Sequence, residues 1–282
     1  MALDQETLEQ LLSTVRRFVS QRLMPLEAQV DEEDRIPPTL VSEMRELGLF
    51  GLTIPQAYGG LGLNTEEECR VIMEIGLTSP AFRSVFGTNN GIGSQGIVMD
   101  GTEEQKNHYL PLLASGDVIG SFALTEPDVG SDSGAVKTKA VKEGDHYVLN
   151  GTKRYITNAS SAQLFTVFAR TDASEHGARG VSAFLVDANT PGIVLSEPYK
   201  KMGQKGAHVC DVTFDDCRVP QANIIGGPDR LNKGFETAMK TLDRGRIHIA
   251  ALSVGCARRL IDTSVTYAVE RKQFGKPIAE FQ

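Results

Sequence analysis

The chain has 282 residues, 40% of them apolar and 23% charged, with a net charge of −7. That length can bury a sizeable core and allows two domains. The acidic balance argues against general nucleic-acid binding, so an anionic ligand must be held by local groups.

The first third reads as helix. Leu8, Leu11, Leu12, Val15, Phe18, Val19 and Leu23 recur every three or four residues, as on one face of an amphipathic helix. Pro25 fits the first turn of a following helix. Leu40, Met44 and Leu47 mark another, ended by Gly48. Thr65-x-x-Glu68 and Thr102-x-x-Gln105 are capping-box patterns that each open a helical stretch, the second closing at Gly116. Gly91-Ile92-Gly93-Ser94-Gln95-Gly96 matches a dinucleotide fingerprint in letters only. It lacks the preceding strand, so it reads as small-residue helix packing.

From about Val118 the period changes to short strands: Ile119–Thr125, Ala135–Val141, His146–Leu149, Arg154–Thr157, Leu164–Ala169, Ser182–Val186 and Val209–Phe214. Asn150-Gly151 predicts a two-residue hairpin; Glu143-Gly144-Asp145 and Pro191-Gly192 predict further turns. Strands in succession without helices point to an antiparallel sheet or small barrel. From Leu231 the helical period returns through Phe235, Met239, Leu242, Ile247, Ala251, Val254, Leu260, Ile261 and Val265 to about Glu270. The fold class is therefore α+β: an all-α segment 1–117, a β segment 118–228, and the first helix of a further helical domain over 229–282.

The cysteines, Cys69, Cys210, Cys217 and Cys256, form no C-x-x-C pair and read as reduced core thiols of a cytoplasmic protein. His208 and Cys210 share a strand face, but zinc wants about four ligands and no metal is expected. No apolar run approaches the ~20 residues that span a bilayer. The opening Met1-Ala2-Leu3-Asp4-Gln5-Glu6 lacks the basic and apolar regions of a secretory signal.

The most informative stretch runs from Phe122 to Thr157. Phe122-Ala123-Leu124-Thr125-Glu126-Pro127 is an apolar strand stopped by proline, followed by the hydroxyl- and glycine-rich Asp128-Val129-Gly130-Ser131-Asp132-Ser133-Gly134. Free N–H groups and serine hydroxyls in such a loop make an anion cradle. The returning strand ends Tyr155-Ile156-Thr157-Asn158, an aromatic face beside a hydroxyl. This combination suits a flat heteroaromatic ring with a phosphate tail. The order Leu-Thr-Glu-Pro-x-x-Gly-Ser-Asp, then Tyr-Ile-Thr-Asn, resembles the acyl-CoA dehydrogenase flavoproteins.

The resemblance implies FAD as cofactor, with Phe122, Leu124, Thr125, Gly130, Ser131, Tyr155 and Thr157 at its site. Thr125 would meet the pyrimidine side of the isoalloxazine and Thr157 its N5. Tyr155 stands where the family usually has tryptophan, and Val129 where it has a small residue. Arg271 and Phe274 match an Arg-x-x-Phe-Gly turn that serves the FAD of a neighbouring subunit, implying a homodimer or homotetramer. Asp243 and Arg246, three apart on the long helix, would line the acyl and pantetheine cleft, with Ser131 also near substrate. Arg83 falls where glutaryl-type relatives hold a distal carboxylate.

The implied reaction oxidises an acyl-CoA to its trans-2-enoyl form. A carboxylate takes the α proton, a flavin accepts the β hydride, and an electron-transfer flavoprotein is the expected acceptor. Some members carry that carboxylate directly before the arginine matching Arg246; here the residue is Gly245. The base is therefore expected beyond Gln282, and the chain alone is expected to be inactive. An acyl-CoA oxidase and a non-catalytic flavin- or CoA-binding scaffold are the alternatives. Rapid flavin reoxidation by oxygen would mark the first, and a carboxylate in a following bundle would remove the second.

Overall fold

In the computed structural model, which describes residues 3–282, the apolar stripe of the N-terminus forms α1 (Gln5–Phe18). The Asp4 side chain accepts from the Thr7 N–H, and Leu8, Leu12, Val15 and Phe18 are buried. A π turn (Val19–Leu23) and a 3₁₀ turn holding Pro25 lead into α2 (Glu27–Glu33). Then α3 (Pro38–Glu46) stops at Gly48, whose φ of 69° is the left-handed geometry glycine tolerates.

Next come α4 (Thr65–Ile75), α5 (Pro80–Asn90), α6 (Gln95–Asp100) and α7 (Glu103–Ser115). The predicted box at Thr102 and Gln105 forms, and Gly116 closes α7 in the left-handed region. The predicted box at Thr65 and Glu68 is one residue out. Asn64 caps α4 and Glu67 completes the box, while Glu68 is bonded to His248 instead. One core cluster joins Leu12, Leu40, Met44, Phe82 and Phe86 to Ala251 and Leu252 of α8 (Gly234–Glu270).

The middle of the chain forms β1 (Gly120–Ala123), β2 (Lys139–Glu143), β3 (His146–Thr157), β4 (Leu164–Arg170), β5 (Val181–Asp187), β6 (Ile193–Leu195) and β7 (Val209–Pro220). They make one sheet in the order β1-β4-β2-β3-β7-β6, with β5 also on β4. Its pairings are mostly antiparallel, but β1 runs parallel to β4, with Gly120 opposite Leu164. The chain between them forms β2 and β3 first, so no hairpin fixes their direction.

Asn150-Gly151 does not form the predicted hairpin. Both residues lie inside the 12-residue β3, most of which pairs along β7. The register shifts between Leu149 and Gly151, and Asn150 exchanges side-chain bonds with Asp216 across the strands. A dipeptide that favours a turn is here absorbed as a bulge, since a long partner strand rewards continuing. The turns at Gly144 and at Pro191-Gly192 form.

Candidate active site

Two stretches that are remote in sequence meet at the end of β1. After Ala123 the chain turns tightly through Glu126-Pro127-Asp128-Val129, where Glu126 and Val129 exchange backbone bonds of 2.9 and 3.1 Å. The Thr125 carbonyl accepts from the Arg154 N–H at 2.8 Å, tying this turn to β3. There the register shifts between Lys153 and Ile156, and Tyr155 takes a φ of 60°. A bulge with a non-glycine residue at positive φ is a local strain that re-aims a side chain. Tyr155 is 59% exposed, with its ring centroid 5.1 Å from that of Tyr199.

A buried ion pair fixes this arrangement from behind. Lys153 Nζ donates to the Leu124 carbonyl at 3.0 Å and to Glu126 Oε1 at 2.8 Å, with the lysine side chain wholly buried. Glu126 also accepts from the N–H groups of Lys137 and Thr138. Burial pulls the Lys153 amine down to about 8 against the opposing pull of Glu126. Burial would raise the Glu126 carboxyl, but Lys153 and Thr138 outweigh it and hold it below its ordinary value.

In front of the pair lies a cavity of about 350 Å³. It is lined by Phe122, Leu124, Thr125, Gly130, Ser131, Tyr155 and Thr157, together with Ser133, Ile156, Ile92, Leu242 and Arg246. The first seven are the residues singled out for the cofactor; Ser133 and Ile92 were not. Val129 is buried and does not line the cavity. A Cβ added to Gly130 would meet nothing within 4 Å, so space stands open beside that backbone. Arg271 and Phe274 do not line it. They sit past the far end of α8, roughly 36 Å along the helix axis from Arg246 at ~1.5 Å per residue. There β8 (Lys272–Gln273) and β9 (Lys276–Pro277) form a small hairpin whose turn leaves Phe274 92% exposed.

A second cavity, of about 410 Å³, adjoins the first and shares Ile92, Leu242 and Arg246 with it. Its other walls are Arg83, Gly87, Thr88, Gly91, Gly245 and Ile249. The Gly91–Gly96 segment is thus helix packing at a cleft: α5 ends before it, α6 begins within it, and Gly96 faces Thr237 of α8. Asp243 lines neither cavity and pairs with Arg246 at 3.4 Å on the exposed side of α8. Arg244 donates to Gln95 Oε1 at 3.0 Å. Behind Arg83 lie the buried His248 and Glu68, which periodicity alone could not bring to notice. Among the described residues no Asp or Glu lines either cavity.

Family models described as the N-terminal, middle and C-terminal domains of acyl-CoA dehydrogenase match residues 5–117, 121–217 and 232–282. The chain is 42% identical over 268 residues to the probable acyl-CoA dehydrogenase YngJ of Bacillus subtilis, covering 95% of this chain and 70% of that protein. Among solved structures, acyl-CoA dehydrogenase complexed with FAD from Bacillus anthracis superposes with a TM-score of 0.88 at 34% identity, covering 100% of this chain and 48% of the other. A glutaryl-coenzyme A dehydrogenase in complex with glutaryl-CoA gives a TM-score of 0.90 at 37% identity, over 100% and 71%.

Proposed function

The chain belongs to the acyl-CoA dehydrogenase family, and we propose that it binds FAD and an acyl-CoA side by side for oxidation of the thioester to its trans-2-enoyl form. One observation carries this reading. A cavity walled by hydroxyls and an aromatic ring shares Ile92, Leu242 and Arg246 with an adjoining, mainly apolar one. The first suits a flat ring and the second an acyl chain.

The residues present fit FAD. Thr125, Ser131, Ser133 and Thr157 offer neutral hydroxyls, Tyr155 a π face, and Gly130 an open backbone. Thr125 and Thr157 would hold the ring edge and Tyr155 its face, while Gly130 and Ser131 would hold the pyrophosphate. Arg271 and Phe274 would serve the FAD of a second copy, which supports a homo-oligomer. Bound FAD supplies the acceptor for the β hydride, and an electron-transfer flavoprotein is the proposed next acceptor. Arg246 lines both cavities and would orient charge between them; Arg83 would meet an oxygen-bearing acyl end. The base that takes the α proton is not among the residues lining these cavities. Gly245, at the second cavity, leaves room there: a Cβ would touch only Ile92, at 3.4 Å.

The test is reconstitution. Protein purified with FAD should be yellow. Thr157→Val should shift the flavin reduction potential while leaving thermal unfolding within a few tenths of a kcal/mol, the ordinary range for a mild substitution at a partly exposed site. A bound nicotinamide with no flavin would overturn the assignment, and an unchanged potential would remove Thr157 from the ring edge.

A further inference from the structure

The aromatic wall of the first cavity is held from outside. Tyr155 projects from the β3 bulge at a φ of 60° and is 59% exposed, so its own strand gives the ring little support. An unsupported tyrosine at the surface samples several rotamers, and ordering it costs entropy. Here the ring meets that of Tyr199, with centroids 5.1 Å apart and planes tilted by 53°. Rings at this separation attract each other beyond the area they bury. The Arg154 guanidinium carbon also lies 5.9 Å from the Tyr155 centroid, within reach of cation–π attraction.

Tyr199 is itself tied down. Its hydroxyl donates to Asp211 Oδ1 at 3.0 Å, and its backbone N–H donates to the Val209 carbonyl at 2.9 Å. Asp211, on β7, accepts at Oδ2 from Arg154 Nε at 3.2 Å and from Arg154 Nη2 at 3.1 Å. The side chains therefore close a circuit of contacts: Tyr155 to Tyr199, Tyr199 to Asp211, Asp211 to Arg154, and Arg154 back to Tyr155. Of these residues only Tyr155 lines the cavity. The chain has no tryptophan, so the larger face that the resemblance leads one to expect at this position is absent. A smaller ring that is already held in place loses less rotamer entropy when a ligand lands on it.

We propose that Tyr199, anchored by Asp211 and Arg154, is a positioning residue that presets the Tyr155 ring as the face on which the flavin of the first cavity stacks. The inference rests on that cavity being the FAD site. The probe is FAD, titrated into the ligand-free chain, with its affinity and the fluorescence of the bound flavin read together. A tyrosine ring in contact with a flavin quenches its emission, so the fluorescence reports the stack and not the fold.

Tyr199→Leu should weaken FAD binding by about two- to tenfold, the worth of an aromatic pair, and should raise the fluorescence of the bound flavin. Tyr199→Phe, which keeps the ring and loses the bond to Asp211, should fall between. In a Tyr155→Leu background neither substitution should have a further effect, because Tyr199 acts through Tyr155. A purely structural role for Tyr199 would lower FAD affinity equally in both backgrounds and leave the bound-flavin fluorescence unchanged; that result would overturn the proposal. So would a Tyr199→Leu protein with the affinity and fluorescence of the unaltered chain. If Tyr199→Leu does not fold, Tyr199→Phe in the two backgrounds decides alone. Tight FAD binding that Tyr155→Leu leaves unchanged in both readouts would remove the stack and Tyr199 with it, while the FAD site stands. No FAD binding by the unaltered chain would overturn the FAD reading as well.

Discussion

The two cavities share a wall but handle charge in opposite ways. In the first, the ions are hidden: Lys153 and Glu126 sit wholly behind the surface, and the facing groups are mostly neutral hydroxyls and an aromatic ring. In the second, the carboxylate and histidine are hidden and the cation points out: Glu68 and His248 are buried and Arg83 borders the space. A buried pair with both members sealed can act only by shaping backbone. A buried chain ending in an open guanidinium can act on a ligand directly. Damage to the first should therefore appear in stability and damage to the second in ligand preference.

The largest effect expected is in the first wall. Lys153→Met would leave Glu126 buried without its cation and free the Leu124 carbonyl, at a cost of about 3–5 kcal/mol for a broken buried pair. Adding Glu126→Gln should recover part of the loss. Chemical denaturation measures both, and a loss below about 1 kcal/mol would mean that the wall is held by something else.

Acid should weaken the same wall and the seat of α8. Burial raises the Glu126 and Asp100 carboxyls, but Lys153 and Thr138 for the one, and Lys240, Thr237 and Arg230 for the other, outweigh it and hold both low. Glu27, bonded to Arg259 and Thr78, is held low in the same way. The unfolded chain then binds these protons at higher pH than the folded one. The stability they confer is full above the ordinary values of 3.8 and 4.5 and is lost as pH falls through the lower, folded values. Denaturation midpoints at pH 7 and at about pH 3, below the ordinary values, test this. A midpoint that rose on acidification would contradict the sign.

Beyond the shared wall, Arg271→Ala should lower FAD affinity several-fold while leaving the stability of the folded chain nearly unchanged, because Arg271 is exposed. Equal FAD affinity in a monomer would detach this turn from the cofactor. The smallest effect is at the second wall. Gly245→Ala, within α8, should stabilise by about 0.5–1 kcal/mol through helix propensity while its methyl encroaches on the cavity. Thermal unfolding measures the gain, and a loss instead would mean that contact with Ile92 is too tight.

Much of this was legible wherever the signal is local. The period of Leu8, Leu12, Val15 and Phe18 predicted α1, and Thr102, Gln105 and Gly116 marked the ends of α7. The loop and strand holding Thr125, Ser131, Tyr155 and Thr157 could be grouped because motif order and residue type both pointed to one ligand. The misreadings share a cause. Asn150-Gly151 has turn chemistry, and Thr65 with Glu68 has cap spacing, yet in each case a distant partner outbid the local preference. For Asn150-Gly151 it was β7; for Glu68 it was His248, 180 residues away.

The sequence by itself determined most of the helices and strands, because side-chain periods of two to four residues and turn residues are written within one short window. That certain hydroxyls, glycines and aromatics could face a flavin is what the resemblance of the Phe122–Asn158 motif to the family implies. Only the tertiary structure decided that β1 runs parallel to β4, that Lys153 lies under the Leu124–Glu126 turn, and that Arg83 on α5 meets His248 on α8, 165 residues later. Such pairings cost loop-closure entropy that depends on separation and not on residue type. They form because a whole core, here the cluster joining Phe82 and Phe86 to Ala251 and Leu252, packs the two helices together and leaves the buried polar groups no other partners.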